Sequence, residues 1–195
     1  MNQSHPFRSY ISSYATLSDE EWTAIEPCLT KRVYRKNELL LRAGAICKKL
    51  YFLESGYLMY YVLKDGEEVT KYFTEPPYCF TSQRSFDNEI PTQDNILALE
   101  ESVVWEMSRT HALDLLRLKG WSEFVRKLIL EVQFYTEEIL DASQNKTAEE
   151  RYLDLLDHNS IILQKASLKQ IASYLGIAPQ SLSRIRKNIV GTPRT

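Results

Sequence analysis

The sequence predicts an α+β chain in three consecutive parts: a β-rich sandwich or roll behind N-terminal helices, one long helix, and a small helical domain. Three observations predict it. Between Lys31 and Met107, short aromatic and β-branched runs are punctuated by glycine turns. From Trp121 onward, apolar residues recur at spacings of 4, 3, 4, 3, 4, 3. Residues 166–187 carry the start, stop and restart signals of two short helices. The resulting parts are 1–119, 120–145 and 146–195.

Taken in order, the chain up to about Thr30 reads as helical. Ser18 is a cap with Glu21 three residues later, and Trp22, Ile25 and Leu29 form a buried face. Strands are expected at 39–41, 50–53, 57–63, 69–73, 96–99 and 103–107, with turns at Gly44 and Gly56. Asp65-Gly66 is the clearest hairpin signal, because both residues tolerate the positive φ that a tight two-residue turn needs. The span 75–95 reads as irregular and contains Pro76, Pro77 and Pro91. It is either a small-molecule site or a plain connecting loop. Residues 110–118 read as a short helix that Gly120 breaks.

Trp121, Val125, Leu128, Val132, Tyr135, Ile139 and Ala142 then form a heptad seam. A long helix with such a seam pairs with its own copy or lies on the roll of its own chain, and off-seam Phe124, Ile129 and Phe134 favour both at once. Residues 141–146, with Ser143, Gln144 and Asn145, suit a hinge. Thr147 with Glu150 caps the next helix, whose Tyr152, Leu155 and Leu156 turn inward.

In the last part Ser167 and Gln170 fit a capping box, Leu168, Ile171, Ala172 and Leu175 form one apolar stripe, and Gly176 supplies a left-handed stop. Pro179 suits the first turn of a second helix, with Leu182 and Ile185 facing back on the first. This is a helix-turn-helix pattern. Gln matches the adenine edge and Arg the guanine edge in the major groove, Ser can reach either bases or phosphates, and Lys187 and Arg186 suit phosphates. Candidate DNA contacts are therefore Lys169, Pro179, Gln180, Ser181, Ser183, Arg184, Arg186 and Lys187. Charge agrees: residues 1–145 hold 16 Lys and Arg against 22 Asp and Glu, whereas 146–195 hold 8 against 4. Only the second part suits a polyanion. The alternative is a ligand-binding or protein-interaction module whose helix pair never meets DNA.

Other function classes find little support. No apolar run reaches the length of a membrane span, and residues 1–10 lack the apolar stretch of a signal peptide, so a cytoplasmic protein is expected. Cys28, Cys47 and Cys79 form no CxxC pair, so no disulfide framework, metal site or cofactor is expected, and free buried thiols are the default over redox sensing. His5, His111 and His158 belong to no nucleophile arrangement, and glycine is too sparse for a phosphate-cradling loop, so no catalytic residues are assigned.

The order of roll, seam helix and helix-turn-helix resembles the Crp/Fnr family of bacterial transcription regulators over nearly the whole chain. The most specific runs are Thr147-Ala148-Glu149-Glu150-Arg151-Tyr152, Leu168-Lys169-Gln170-Ile171-Ala172-Ser173-Tyr174-Leu175-Gly176-Ile177 and Ser181-Leu182-Ser183-Arg184-Ile185-Arg186-Lys187, which look like the family's Bacteroidetes branch. The resemblance implies a cyclic-nucleotide-binding-like β jelly roll and a homodimer reading a two-fold-symmetric duplex. Its recognition helices would enter major grooves about 34 Å apart. RNA polymerase is a further partner it implies. Members that bind cyclic AMP carry Gly-Glu and Arg-Ser or Arg-Thr pairs where this chain has Thr81-Ser82 and Thr92-Gln93. Without that Arg a cyclic phosphate lacks its charge-assisted partner, and Arg84 stands at the wrong offset. Thr81, Ser82, Arg84, Thr92 and Gln93 are thus candidates for a different, unknown small-molecule effector. The chain ends soon after Lys187, so the family's hairpin wing is expected to be shortened or absent.

Overall fold

In the computed structural model, residues 5–158 and 160–191 are described. The eight strands are β1 Leu29–Tyr34, β2 Leu39–Leu41, β3 Lys49–Ser55, β4 Leu58–Lys64, β5 Glu67–Thr74, β6 Tyr78–Phe80, β7 Asn95–Ala98 and β8 Ser102–Ser108. They form two four-stranded sheets, ordered β1-β8-β3-β6 and β2-β7-β4-β5, with antiparallel pairing throughout. The expected hairpin joins β4 to β5 with Lys64 opposite Glu67. Asp65 and Gly66 have φ of 53° and 82°, the left-handed pair that matches strand twist.

Alternation along β3 explains its unbroken apolar run, because both faces are covered. Tyr51 points between the sheets and stacks on Phe80 at 5.2 Å, while Tyr60 stacks on Tyr72 at 4.2 Å. Phe52 points the other way, 4.8 Å from Phe7 of α1 Pro6–Tyr14. Helix α2 Asp19–Ile25 follows, with the Ser18–Glu21 capping box formed as expected.

Two short elements interrupt the span expected to be irregular: β6, and helix α3 Gln83–Asn88. A three-residue strand offers too few positions for alternation to be read. Pairing of Tyr51 with Phe80 and Leu53 with Tyr78 is what makes β6 a strand. Strand β1 was also hidden, since it exposes Lys31 and Arg32 and buries only Tyr34.

After α4 Arg109–Asp114 and a 3-10 turn, helix α5 spans Lys119–Asn145. Gly120 does not break the chain's helical course; it lies in the first turn of α5. Its N–H donates to Glu21 Oε1 at 2.7 Å, and an added Cβ would stand 2.6 Å from the Thr16 carbonyl oxygen. Small size is the property used there. Trp121, Phe124 and Leu128 of α5 are buried against α1 and the roll, with Phe7 6.1 Å from Trp121 and 6.0 Å from Phe124. The expected hinge is helical as far as Asn145, and the backbone leaves helical geometry at Lys146 (φ −110°, ψ 141°).

Helices α6 Ala148–His158, α7 Ile162–Lys165, α8 Leu168–Tyr174 and α9 Pro179–Gly191 complete the described chain. Their apolar faces join Met59, Tyr61, Phe73 and Leu99 of the roll in a second core with Tyr152, Ile162, Ile171, Ala172, Leu175 and Leu182. Of the residues after Lys187, where the wing is expected to be shortened or absent, 188–191 are the end of α9 and 192–195 lie outside the described residues.

Gly56 has φ of 98°, and a Cβ there would sit 2.6 Å from Ser102 Cα, across the β3–β8 junction. Gly56→Ala therefore combines backbone strain with overpacking and should destabilise the fold by about 2–4 kcal/mol. The check is a lower urea midpoint with an unchanged m-value.

Candidate nucleic-acid interface

The helix pair is built as its residues dictate. Ser167 Oγ accepts from Gln170 N at 3.3 Å while Gln170 Oε1 accepts from Ser167 N at 2.8 Å, so the α8 start is satisfied from both sides. At its end Gly176 takes φ of 67°, and Ile177 N donates to Ala172 O at 3.0 Å. Pro179 opens α9 in a position where an N–H would have no helical acceptor. Leu182 is fully buried against Ile171, Ala172 and Leu175, which fixes the rotation of α9.

That rotation sorts the candidate residues. Gln180, Arg184 and Lys187, spaced by four and three, share one exposed face of α9. Ser181 and Ser183 are half-buried on its flanks, and the Ser183 hydroxyl donates to Pro179 O at 3.1 Å, within its own helix. Pro179 is half-buried. Arg186, expected at a phosphate, has its guanidinium 5.6 Å from the Tyr152 ring centroid. The face of α9 opposite Gln180 belongs to the core, and Arg186 borders that side. Lys169, on α8, is exposed but paired with Glu67 of β5 at 2.9 Å. Lys165 pairs with Glu100 at 2.6 Å.

The roll brings together only part of the expected ligand set. Ser82 Oγ lies 2.8 Å from Thr92 Oγ1, and both are buried. Thr81 Oγ1 donates to Lys49 O at 2.9 Å, whereas Arg84 and Gln93 are exposed. Asp94 is the residue that sequence inspection passed over. Its carboxylate accepts from Ser82 Oγ at 3.0 Å and pairs with Lys71 Nζ at 2.9 Å. The signal was its position two residues after Thr92, on the same side of an extended chain. A cavity of about 550 Å³ borders this region, between β6, α3 and α5; Thr81 and Gln83 edge a wall of Leu50, Phe86, Trp121 and Leu128.

The seam of α5 is divided in the same way. Trp121 and Leu128, expected at a partner, are buried within the chain, because the first half of α5 lies on α1 and the roll. Val125, Ile139 and Ala142 are half-buried, and Val132 and Tyr135 are exposed. Ile129 at 49% exposure, Val132 and Leu140 at 57% form an uncovered stripe beside half-buried Val125. It is rotated from the expected seam by roughly a quarter turn at ~100° per residue.

Cys47 and Cys79 are buried and Cys28 is half-exposed. Burial pushes the thiols of Cys79 and Cys28 up, away from the reactive thiolate. Among the described residues no group of three or more His, Cys, Asp or Glu could hold a metal, and no helix is long and apolar enough to cross a membrane. Iodoacetamide at neutral pH should label Cys28 slowly and the other two only after unfolding; mass spectrometry showing Cys79 labelled in the folded protein would contradict this.

Residues 31–118 match the family model for the cyclic nucleotide-binding domain, which spans the roll from β1 to the turn before α5. No curated protein matches the chain significantly. Among solved structures, the chain is similar to a transcriptional regulator assigned to the Crp/Fnr family from Eubacterium rectale. Identity is 18%, the TM-score is 0.72, and 89% of this chain and 84% of that one are covered. The catabolite activator protein of Thermus thermophilus shares 19% identity at a TM-score of 0.55, over 89% and 84% of the two chains. The c-di-GMP responsive global regulator CLP of Xanthomonas campestris shares 14% at 0.68, over 91% and 96%. At such identities the likeness is one of fold.

Proposed function

We propose, for a chain that carries a cyclic nucleotide-binding domain and has the fold of Crp/Fnr-family regulators, the function of a homodimeric, sequence-specific DNA-binding transcription regulator of the cytoplasm. The observation that carries this is the exposed Gln180, Arg184 and Lys187 face of α9, set on a tip with no acidic residue after Asp157. Gln180 and Arg184 have the donors for base edges, and Lys187 suits a phosphate beside them. Such a protein recruits or blocks RNA polymerase and catalyses nothing itself.

The uncovered Ile129, Val132 and Leu140 support pairing of two copies through α5. Two-fold pairing gives two α9 helices and hence a palindromic site. The roll's own chemistry supports an effector other than cyclic AMP. The donors Ser82, Thr92 and Lys71 are directed at the Asp94 carboxylate, an internal anion that repels a cyclic phosphate. Tyr51, Tyr60, Tyr72 and Phe80 fill the space between the sheets. The apolar cavity edged by Thr81 and Gln83 is where a different small molecule would fit. The strand order of the two sheets supports reading the roll as a jelly roll.

Selection from a randomised duplex pool should return a two-fold-symmetric consensus. Arg184→Ala should weaken binding to it by about 1–3 kcal/mol, and Lys187→Ala should chiefly flatten the salt dependence. Equal losses on consensus and random duplex would remove base reading from Arg184. Salt-insensitive or absent DNA binding would return the protein-interaction reading. In sedimentation, Val132→Glu with Leu140→Glu should convert a dimer to a monomer, and cyclic AMP should leave Tm unchanged.

A further inference from the structure

The first helix of the pair is fastened to the roll by its polar face. Thr70 N donates to Ser173 Oγ at 2.9 Å, and Ser173 Oγ donates to the Glu68 carbonyl at 3.3 Å. One turn before Ser173, Lys169 Nζ meets Glu67 Oε2 at 2.9 Å. Beneath these contacts lies the apolar cluster that Phe73 and Tyr174 close, with ring centroids 5.4 Å apart. All three partners, two backbone groups and the Glu67 carboxylate, belong to the start of β5, immediately after the Asp65-Gly66 turn. A two-residue turn with paired flanking strands holds its tip in a set position. That tip carries Asp65, Glu67 and Glu68 against Lys64 alone.

In a helix-turn-helix the first helix crosses the phosphate backbone while the second enters the groove. A cation near the start of α8 is therefore placed for a phosphate, and in this chain that cation is Lys169, held by a carboxylate. We propose that the tip of the β4–β5 hairpin is an internal competitor for DNA. Glu67 occupies Lys169 in place of a phosphate, the Thr70–Ser173 clasp keeps it there, and full-strength DNA binding requires the clasp to open. This rests on the DNA-binding reading and adds the means by which the roll governs it. Lys169 and Glu67 are both largely exposed, so the ion pair alone is weak and screened by salt. The clasp makes it effective by holding three carboxylates beside the path of the duplex.

The test uses the full-length protein, its selected duplex and a random duplex, titrated across about 0.05–0.2 M salt. Glu67→Gln should bind both duplexes about two- to fivefold tighter near 0.1 M salt and steepen the log–log salt slope by about 0.9, one phosphate's worth. Lys169→Ala should cost more affinity in the Glu67→Gln background than in the parent protein, because only there is Lys169 free for a phosphate. Ser173→Ala should speed hydrogen exchange at the Thr70 amide and raise DNA affinity together. Additive effects of the Glu67 and Lys169 changes, or no gain from Glu67→Gln, overturn the competition. If no variant and no parent protein binds DNA, the DNA-binding reading falls and this one with it. Protection at Thr70 reports separately that the clasp exists.

Discussion

Trp121 and Phe124 pack on Phe7, which itself stacks on Phe52 of β3, and that contact sets the rotation of the long helix about its own axis. With Leu128 they form one buried stripe, so every later position on α5 has its facing determined before the helix leaves the roll. Val132 and Leu140 then face outward beside that stripe, and the half of α5 that passes β5 lines clefts of about 370 Å³ and 660 Å³. The outward facing of Val132 and Leu140 and the course of α5 toward the C-terminal helices both descend from this aromatic anchor. Glu21 secures it from the other side, since its carboxylate serves the Ser18 cap and the Gly120 N–H at once.

The roll is closed from within rather than around a ligand. Its inner aromatic pairs bury phenols whose ionisation is pushed far upward by desolvation, so the interior supplies no charge of its own. The charged groups that remain satisfy each other: Asp94 with Lys71, and Glu106 with Lys49 at 2.5 Å and with Tyr34. The roll's apolar opening beside α5 is the part left unsatisfied.

The C-terminal domain is attached to the roll by an apolar core under a polar rim, the arrangement of a specific contact rather than a loose tether. The same α8 surface that a duplex would approach is thus in contact with β5. One charged segment cannot serve the acidic hairpin and the phosphate backbone at full strength together.

Local chemistry made much of this legible in advance. The capping boxes at Ser18 and Ser167, the turn at Asp65-Gly66, the stop at Gly176 and the start at Pro179 each depend on a few neighbouring residues, and each is formed. Gln180, Arg184 and Lys187 were identifiable because Leu182 fixes a helical period that places them opposite the core. What depends on partners distant in sequence was not legible. β6 exists through its pairing with β3, Asp94 gained its role from Ser82 and Lys71, and Arg186 turned toward Tyr152 on another helix. Trp121 and Leu128 fit a heptad as well as Val132 does, and no spacing rule says which of them meets its own chain. Periodicity determined that α5 has an apolar side; only tertiary packing decided how that side is shared, because burial is a property of the surfaces that meet.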